Sequence, residues 1–177
     1  MNEFFFKVER AGIFTTFQDE GFNNLQHLGI STGGVMDVNL FKLSNKLLDN
    51  DLNEGVLEFA YQGPRLKLIK GTAKIVISGN VHFTIEKNNS SYSNKEFSPF
   101  QTYNLKEGDV LDVLATKQSV YGYLAIQGGF KTEKFKNIKS TLTRSKIGAN
   151  NGKKISNDQT ICFLQKSKDD ITYKVLF

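Results

Sequence analysis

The stretch Val56-Leu-Glu-Phe-Ala-Tyr-Gln-Gly-Pro-Arg-Leu-Lys-Leu-Ile-Lys-Gly-Thr-Ala-Lys-Ile-Val-Ile77 decides the fold class. Val56–Tyr61 reads as a strand that stops at the Gln62-Gly63-Pro64 turn, because Gly and Pro supply turn dihedrals and Pro cannot donate to a ladder. Arg65–Ile69 and Ala73–Ile77 follow as strands. The second is nearly all apolar and is expected to be buried on both faces. Upstream, Glu3–Val8 and Ile13–Phe17 read as two more strands. Downstream, Val81–Glu86 with the polar turn Lys87–Asn94 suggests a hairpin. Asn104–Val113 is a turn leading into a strand, and Val120–Gln127 is a strand ending at Gly128-Gly129. Gln159–Leu164 and Thr172–Phe177 close the chain. A single convincing helix runs roughly from Val38 to Leu48, with Asp37 as its N-cap and Leu40, Leu43, Leu47 and Leu48 as its apolar stripe. Many short strands, one main helix and frequent turn residues predict an all-β fold, a closed or nearly closed β-barrel. Only Lys131–Asn157 lacks a clear element, and it is expected to wrap the surface or reach a partner.

Between the second strand and the helix lies a different kind of sequence. Thr15 to Asp37 sets Gln18, Asp19, Gln26, His27 and Asp37 among Gly21, Gly29, Gly33 and Gly34, with few large apolar residues. It has neither the alternation of a strand nor the spacing of an amphipathic helix. Glycines let a backbone turn sharply or approach a ligand, so polar side chains between them can converge. This segment is the candidate loop for an active site or for a contact between subunits.

Composition bounds the rest. A chain of 177 residues with 39% hydrophobic residues and 15 Phe can bury a real core. Charges interrupt the apolar run at the amino terminus, and no segment approaches membrane-spanning length, so neither a signal peptide nor a membrane anchor is expected. Cys162 is the sole cysteine and is read as a small core residue. The absence of a disulfide framework fits a reducing cytoplasm. The net charge of +5 is uneven: residues 131–177 hold 11 basic and 4 acidic residues. These lysines are scattered without interleaved aromatics, which argues against nucleic-acid binding. Only Arg10, Arg65 and Arg144 are arginines, and a guanidinium holds a carboxylate bidentately where a lysine cannot. Arg144 sits among small polar residues and is the functional candidate. Arg65 is expected to point outward from its strand.

No metal site is evident, since His27 and His82 lack partners at ligand spacing. His82 is read as structural. His27, beside Gln26 and Gly29, is a candidate proton carrier. Gly148–Lys153 has a phosphate loop's look without its spacing or its helix, and is read as a turn. The remaining candidates are Gln18, Asp19, Gln26, Asp37, Ser78, Asn80, Ser140 and Thr141, whose amides and hydroxyls suit an anion developing on a carbonyl or ureido oxygen. Asp19 or Asp37 can orient an amide N–H, and Asp37 has the helix cap as its alternative role.

The order Thr16-Phe-Gln-Asp-Glu-Gly21, Gln26-His-Leu-Gly29, Gly33-Gly-Val-Met-Asp37, Leu57-Glu-Phe59, Gly63-Pro64, Ser78-Gly79, Gly108-Asp109, Tyr123-Leu-Ala-Ile-Gln-Gly-Gly129 and Ser140-Thr141 with Arg144 resembles the urea amidolyase-related family. That family includes the C-type subunit of 5-oxoprolinase, allophanate hydrolase subunit 2, KipA-type regulators and the carboxyltransferase domain of urea carboxylase. The resemblance implies a cyclophilin-like β-barrel, with residues 1–177 as one domain matching the first half of a longer chain. It also implies a B-type companion subunit, a small amide substrate, and ATP or carboxybiotin in the complex. Active sites are then expected near the joint between subunits, with Asp19, His27 and Arg144 in catalytic roles. Three positions depart from the pattern. Phe22-Asn-Asn-Leu25 stands where the family usually has Arg-Pro-Gly and an aromatic, Asn80-Val81 stands for Ala-Asp, and Ile138-Lys-Ser-Thr141 stands for Ser-Arg-Ser-Thr. These departures keep a non-catalytic KipA-type regulator open as the alternative. Apolar residues near Leu25, Ile30 and Val175–Phe177 are expected to drive self-association or partner binding.

Overall fold

Two antiparallel sheets enclose a common core in the computed structural model, which describes residues 3–88 and 96–164. The elements are β1 (Glu3–Arg10), β2 (Phe14–Gln18), α1 (Val38–Leu47), β3 (Val56–Ala60), β4 (Arg65–Lys70), β5 (Thr72–Ser78), β6 (Val81–Glu86), β7 (Thr102–Lys106), β8 (Val110–Thr116), β9 (Tyr121–Ile126), β10 (Phe130–Lys131), β11 (Thr141–Leu142), β12 (Ile147–Gly148) and β13 (Thr160–Leu164). One sheet has the order β10-β13-β1-β4-β8-β6 and the other β2-β3-β9-β5-β7, with β11-β12 as a separate hairpin. Backbone bonds tie the end of β8 to the end of β3, from Thr116 N–H to Tyr61 O (2.7 Å), and the segment before β13 to β2, from Ile155 N–H to Thr15 O (2.9 Å). The all-β reading with one main helix holds. The expected strand at Thr172–Phe177, the apolar end at Val175–Phe177 and most of the Lys87–Asn94 turn lie outside the described residues.

The pleat explains the burial. In β4, Leu66 and Leu68 face the core while Arg65 and Lys67 face outward; in β6, Val81, Phe83 and Ile85 face the core. The six-stranded sheet therefore has one dry face and one wet face. On its wet face Arg65 does point outward, into a ring of carboxylates: Glu9 (2.9 Å), Glu86 (2.8 Å) and Asp112 (2.7 Å). Arg10 closes the ring on Asp112 (2.6 Å). Cys162 corrects the expectation of a core residue. In β13 the neighbouring Ile161 and Phe163 take the core positions, and alternation leaves the thiol half-buried on the outer side.

The centre of the five-stranded sheet, β3 with most of β9 and β5, is buried on both faces, as the apolar run in β5 predicts, while the edge strand β7 is largely exposed. Leu57, Phe59, Ile75, Ile77, Leu124 and Ile126 point into the shared core. Val56, Val76, Tyr123 and Ala125 point the other way and pack under α1 with Phe41 and Leu48. The helix stripe follows the leucine pattern except at Leu43, with Leu40 and Leu47 partly buried against this cluster. Its buried face is Phe41, Ser44, Asn45 and Leu48, and Leu43 is 40% exposed. Leu48 serves as the C-cap. The segment 131–157 supplies the β11-β12 hairpin and the turn at Ala149–Gly152, where Asn150 and Asn151 are left-handed rather than part of a phosphate loop.

Candidate functional site

The glycine-rich segment is a closed loop with a pinned neck. Phe22 N–H donates to Thr32 O (2.6 Å) and Val35 N–H to Asp19 O (3.0 Å). Gly21 and Gly34 face each other across this neck at φ +84° and +85°. A Cβ on Gly21 would lie 2.4 Å from Thr32 O, and one on Gly34 would lie 2.8 Å from Glu20 O. Side chains are thus excluded twice over, by dihedral and by space. The loop tip carries a short 3-10 turn, Gln26–Leu28.

Four of the predicted residues come together at the foot of the loop. Asp19 Oδ1 accepts from Gly21 N–H (2.9 Å) and the Ser140 hydroxyl (2.5 Å), and Oδ2 accepts from Lys139 N–H (2.6 Å). Ser140 Oγ accepts in turn from Asp19 N–H (2.9 Å). The Gln18 amide donates to Thr16 Oγ1 (2.9 Å) and Thr141 O (3.1 Å), and the Thr141 hydroxyl donates to Ala149 O (3.1 Å). All four residues are buried. Gln18 Oε1 is the exception to this saturation, a buried acceptor without a partner among the described residues. The group acts as a clamp that fastens the loop to the 139–141 strap. Lys139 extends it: its ammonium pairs with Glu54 and donates to Phe130 O (3.1 Å).

The other predicted residues stand elsewhere. Asp37 is the helix cap, with Oδ1 accepting from Asn39 N–H (2.9 Å) and Leu40 N–H (3.0 Å). Ser78 is fully buried against α1, its Oγ 2.6 Å from Ser44 Oγ. Asn80, on the β5–β6 turn, donates to Gln118 Oε1 (3.4 Å) in solvent. Gln26 and His27 are exposed at the loop tip, and Arg144 is exposed on the β11–β12 turn. Among the described residues these three side chains have no hydrogen-bond partner. His82, read as structural, lies 2.7 Å from Glu96 Oε1.

Sequence reasoning singled out Ser78 but missed Glu58 and Tyr123, which join it in a buried polar row beside the clamp. The registers Thr16↔Glu58, Glu58↔Tyr123 and Ser78↔Tyr123 align four polar side chains across β2, β3, β9 and β5, on the face under α1. Glu58 accepts from Met36 N–H (2.7 Å), and the Tyr123 hydroxyl accepts from Asp37 N–H (2.8 Å) while bonding Glu58. Burial pushes the Glu58 carboxyl above the usual range, against the two bonds it accepts. Burial, then the Glu58 charge, pushes the Tyr123 phenol up, so it stays protonated. The signal for this row was a lone acid in the otherwise apolar Val56–Ala60. The row holds the 35–37 segment and so sets where the loop returns to the sheet.

Among the described residues no group of three or more His, Cys, Asp or Glu is placed to hold a metal, and no helix is long and apolar enough to cross a membrane.

Known proteins resemble this chain in sequence and in fold. The family described as carboxyltransferase domain, subdomain A and B, matches residues 28–174. The chain is 27% identical over 149 residues to the urea amidolyase of Lachancea kluyveri, covering 84% of this chain and 8% of that protein. It is 29% identical over 138 residues to the C-type 5-oxoprolinase subunit of Haemophilus influenzae, covering 78% of this chain and 42% of that protein. The chain thus spans less than half the length of either relative. The crystal structure of the K. lactis urea amidolyase shares the fold, with a TM-score of 0.82 at 24% identity over 96% of this chain and 10% of that one. With residues 28–174 matched out of 177, the chain belongs to the carboxyltransferase domain, subdomain A and B, family.

Proposed function

We propose that this chain is a component of an enzyme complex that processes a small amide, of the kind formed by 5-oxoprolinase with its C-type subunit or by urea amidolyase. The observation that carries this reading is the division of labour in the glycine-rich segment. Asp19, Ser140, Gln18 and Thr141 are engaged in a buried clamp, and the clamp presents Gln26 and His27 unengaged on a pinned loop. In this reading His27 moves a proton, Gln26 binds the amide, and Arg144 holds a carboxylate. Asp19 acts through the loop as a positioning residue. The loop side, where Leu28, Met36 and Val38 are exposed, is covered by a companion of the B type. The clamp's donors are bonded within the fold, so ATP or carboxybiotin would be held by other parts of the complex.

The test is reconstitution with A-type and B-type partners and assay of glutamate release from 5-oxoproline, with carboxybiotin-dependent urea carboxylation as the second assay. His27→Ala and Arg144→Ala, both at exposed positions, are expected to abolish turnover without lowering the melting temperature. Full activity in both variants rejects the assignment. A KipA-type regulatory role is the second reading, favoured by the commitment of Asp19, Asp37 and Ser78 to the fold. Companion binding without turnover in either assay supports it.

A further inference from the structure

A cleft of about 650 Å³ opens between the β1–β2 connection, the β11–β12 turn and the segment 152–157. None of the residues discussed above as site candidates lines it. Its size is that of a small-molecule site rather than a surface dimple. The wall is built in advance by hydrogen bonds. Ala11 N–H donates to Asn157 Oδ1 (2.8 Å), and the Asn150 amide donates to the carbonyls of Lys153 and Lys154 (3.0 Å each). The Gln159 amide holds Asn150 Oδ1 (2.7 Å). This strapping keeps the 152–157 segment in place without a ligand.

The lining has two chemical parts. Ala11 and the ring of Phe14 supply an apolar floor, and Phe14 is 40% exposed although aromatic rings of this size are normally covered. Lys146, Lys153 and Lys154 supply the rim, and no carboxylate lines the cleft. Lys154 Nζ donates to Ile13 O (3.1 Å), whereas the ammonium groups of Lys146 and Lys153 have no partner among the described residues. Uncompensated cations around an apolar floor attract a molecule with a ring at one end and a negative charge at the other.

We propose that this cleft binds an amphipathic organic anion, its flat apolar body on Phe14 and its phosphate, carboxylate or sulfonate group between Lys146 and Lys153. This binding site lies outside the amide-processing reading and does not depend on it. The probe is 8-anilinonaphthalene-1-sulfonate, titrated by fluorescence into the full chain, with N-phenyl-1-naphthylamine as the same ring system without the charge. Saturable binding of one sulfonate per chain is expected, weakening as salt rises. The neutral analogue is expected to bind at least tenfold more weakly. The double variant Lys146→Glu/Lys153→Glu is expected to lose at least tenfold in sulfonate affinity. Lys134→Glu/Lys136→Glu carries the same change in net charge away from the cleft and should lose less than twofold. Displacement by adenosine monophosphate against displacement by indole-3-acetate then separates a phosphate from a carboxylate end. Because all four lysines are exposed, unchanged melting curves are expected in both variants. Equal affinity of the two double variants, equal binding of the neutral analogue, or absence of saturable binding overturns the proposal.

Discussion

The two sheets of this molecule treat outward-facing charge in opposite ways. On the six-stranded sheet, Arg65 lies among Glu9, Glu86 and Asp112, half-exposed and reached by water. On the five-stranded sheet the equivalent outer face is roofed by α1 and the 35–37 segment, and Glu58 is buried with Tyr123. Hydrogen bonding from Arg65 holds the Glu86 carboxyl below the usual range, while burial holds Glu58 above it. The same residue type on the same pleated scaffold is an ion-pair partner in one place and a costly internal acceptor in the other. What decides is whether the face is roofed. A roofed polar residue draws its partners from within the fold, so its mutation leaves them orphaned; an unroofed one is replaced by water.

The sharpest way to break the contrast is Asp19→Ala, beside the roofed sheet. It leaves Gly21 N–H, Lys139 N–H and the Ser140 hydroxyl without their acceptor, and the expected loss is about 3–5 kcal/mol. Thermal denaturation should show a fall on the order of 10 °C. A loss below about 1 kcal/mol means that water reaches the clamp and the roof is not dry. Next in size is Glu58→Ala, which orphans Met36 N–H and the Tyr123 hydroxyl and is expected to cost about 2–3 kcal/mol by denaturant unfolding. On the wet face, Arg65→Ala is expected to cost only about 1 kcal/mol, and the loss should shrink in high salt. If it matches Glu58→Ala in size, the distinction between the faces fails.

The smallest effect is the most discriminating, because the two faces predict opposite slopes with pH. Glu86 has a lowered folded pKa, so its stabilisation is present above the ordinary carboxylate range and lost as pH falls through the lowered value. Glu86→Gln should therefore lag the parent near neutrality and draw level in acid. Glu58 has a raised folded pKa, so the parent is favoured in acid and loses ground as pH rises through the raised value. Glu58→Gln should compare worst with the parent in acid and improve toward neutrality. Parallel sloping curves would contradict one of the two assignments, and flat curves both.

Most of the longer strands were legible because alternation and turn residues are local properties, whereas β7 was read as part of a turn and the two-residue strands β10, β11 and β12 were not read. The run Val56–Ile77 predicted its three strands to within a residue or two at their ends, and Ala73–Ile77 predicted a strand buried on both faces. The helix was legible in position and, Leu43 apart, in the facing of its leucines. Leucine spacing suggested Leu43 for the interior, whereas the covering surface selects Phe41 and the hydrogen-bonding Ser44 and Asn45. The site was legible in part: Gln18, Asp19, Ser140 and Thr141 do meet, although more than a hundred residues separate the pairs. Their role in holding the loop was not legible, because it depends on backbone N–H groups that nearly every residue carries. Glu58 and Tyr123 escaped notice for a related reason. Their meeting is a matter of register between β3 and β9, which no local pattern encodes.

The pinned neck at Gly21 and Gly34 bears on how this loop can change over generations. Because the two sides of the neck are already fastened to each other, the chain between them is a ring closed on itself, and the two sheets do not sense its circumference. Doubling the length of such a ring costs only about 0.6 kcal/mol in closure entropy. Insertions and rewritten side chains between Asn23 and Ser31 are therefore nearly neutral for folding, whereas any side chain at either neck glycine is not. A fold with this division can keep one scaffold while it exchanges the chemistry carried at the tip.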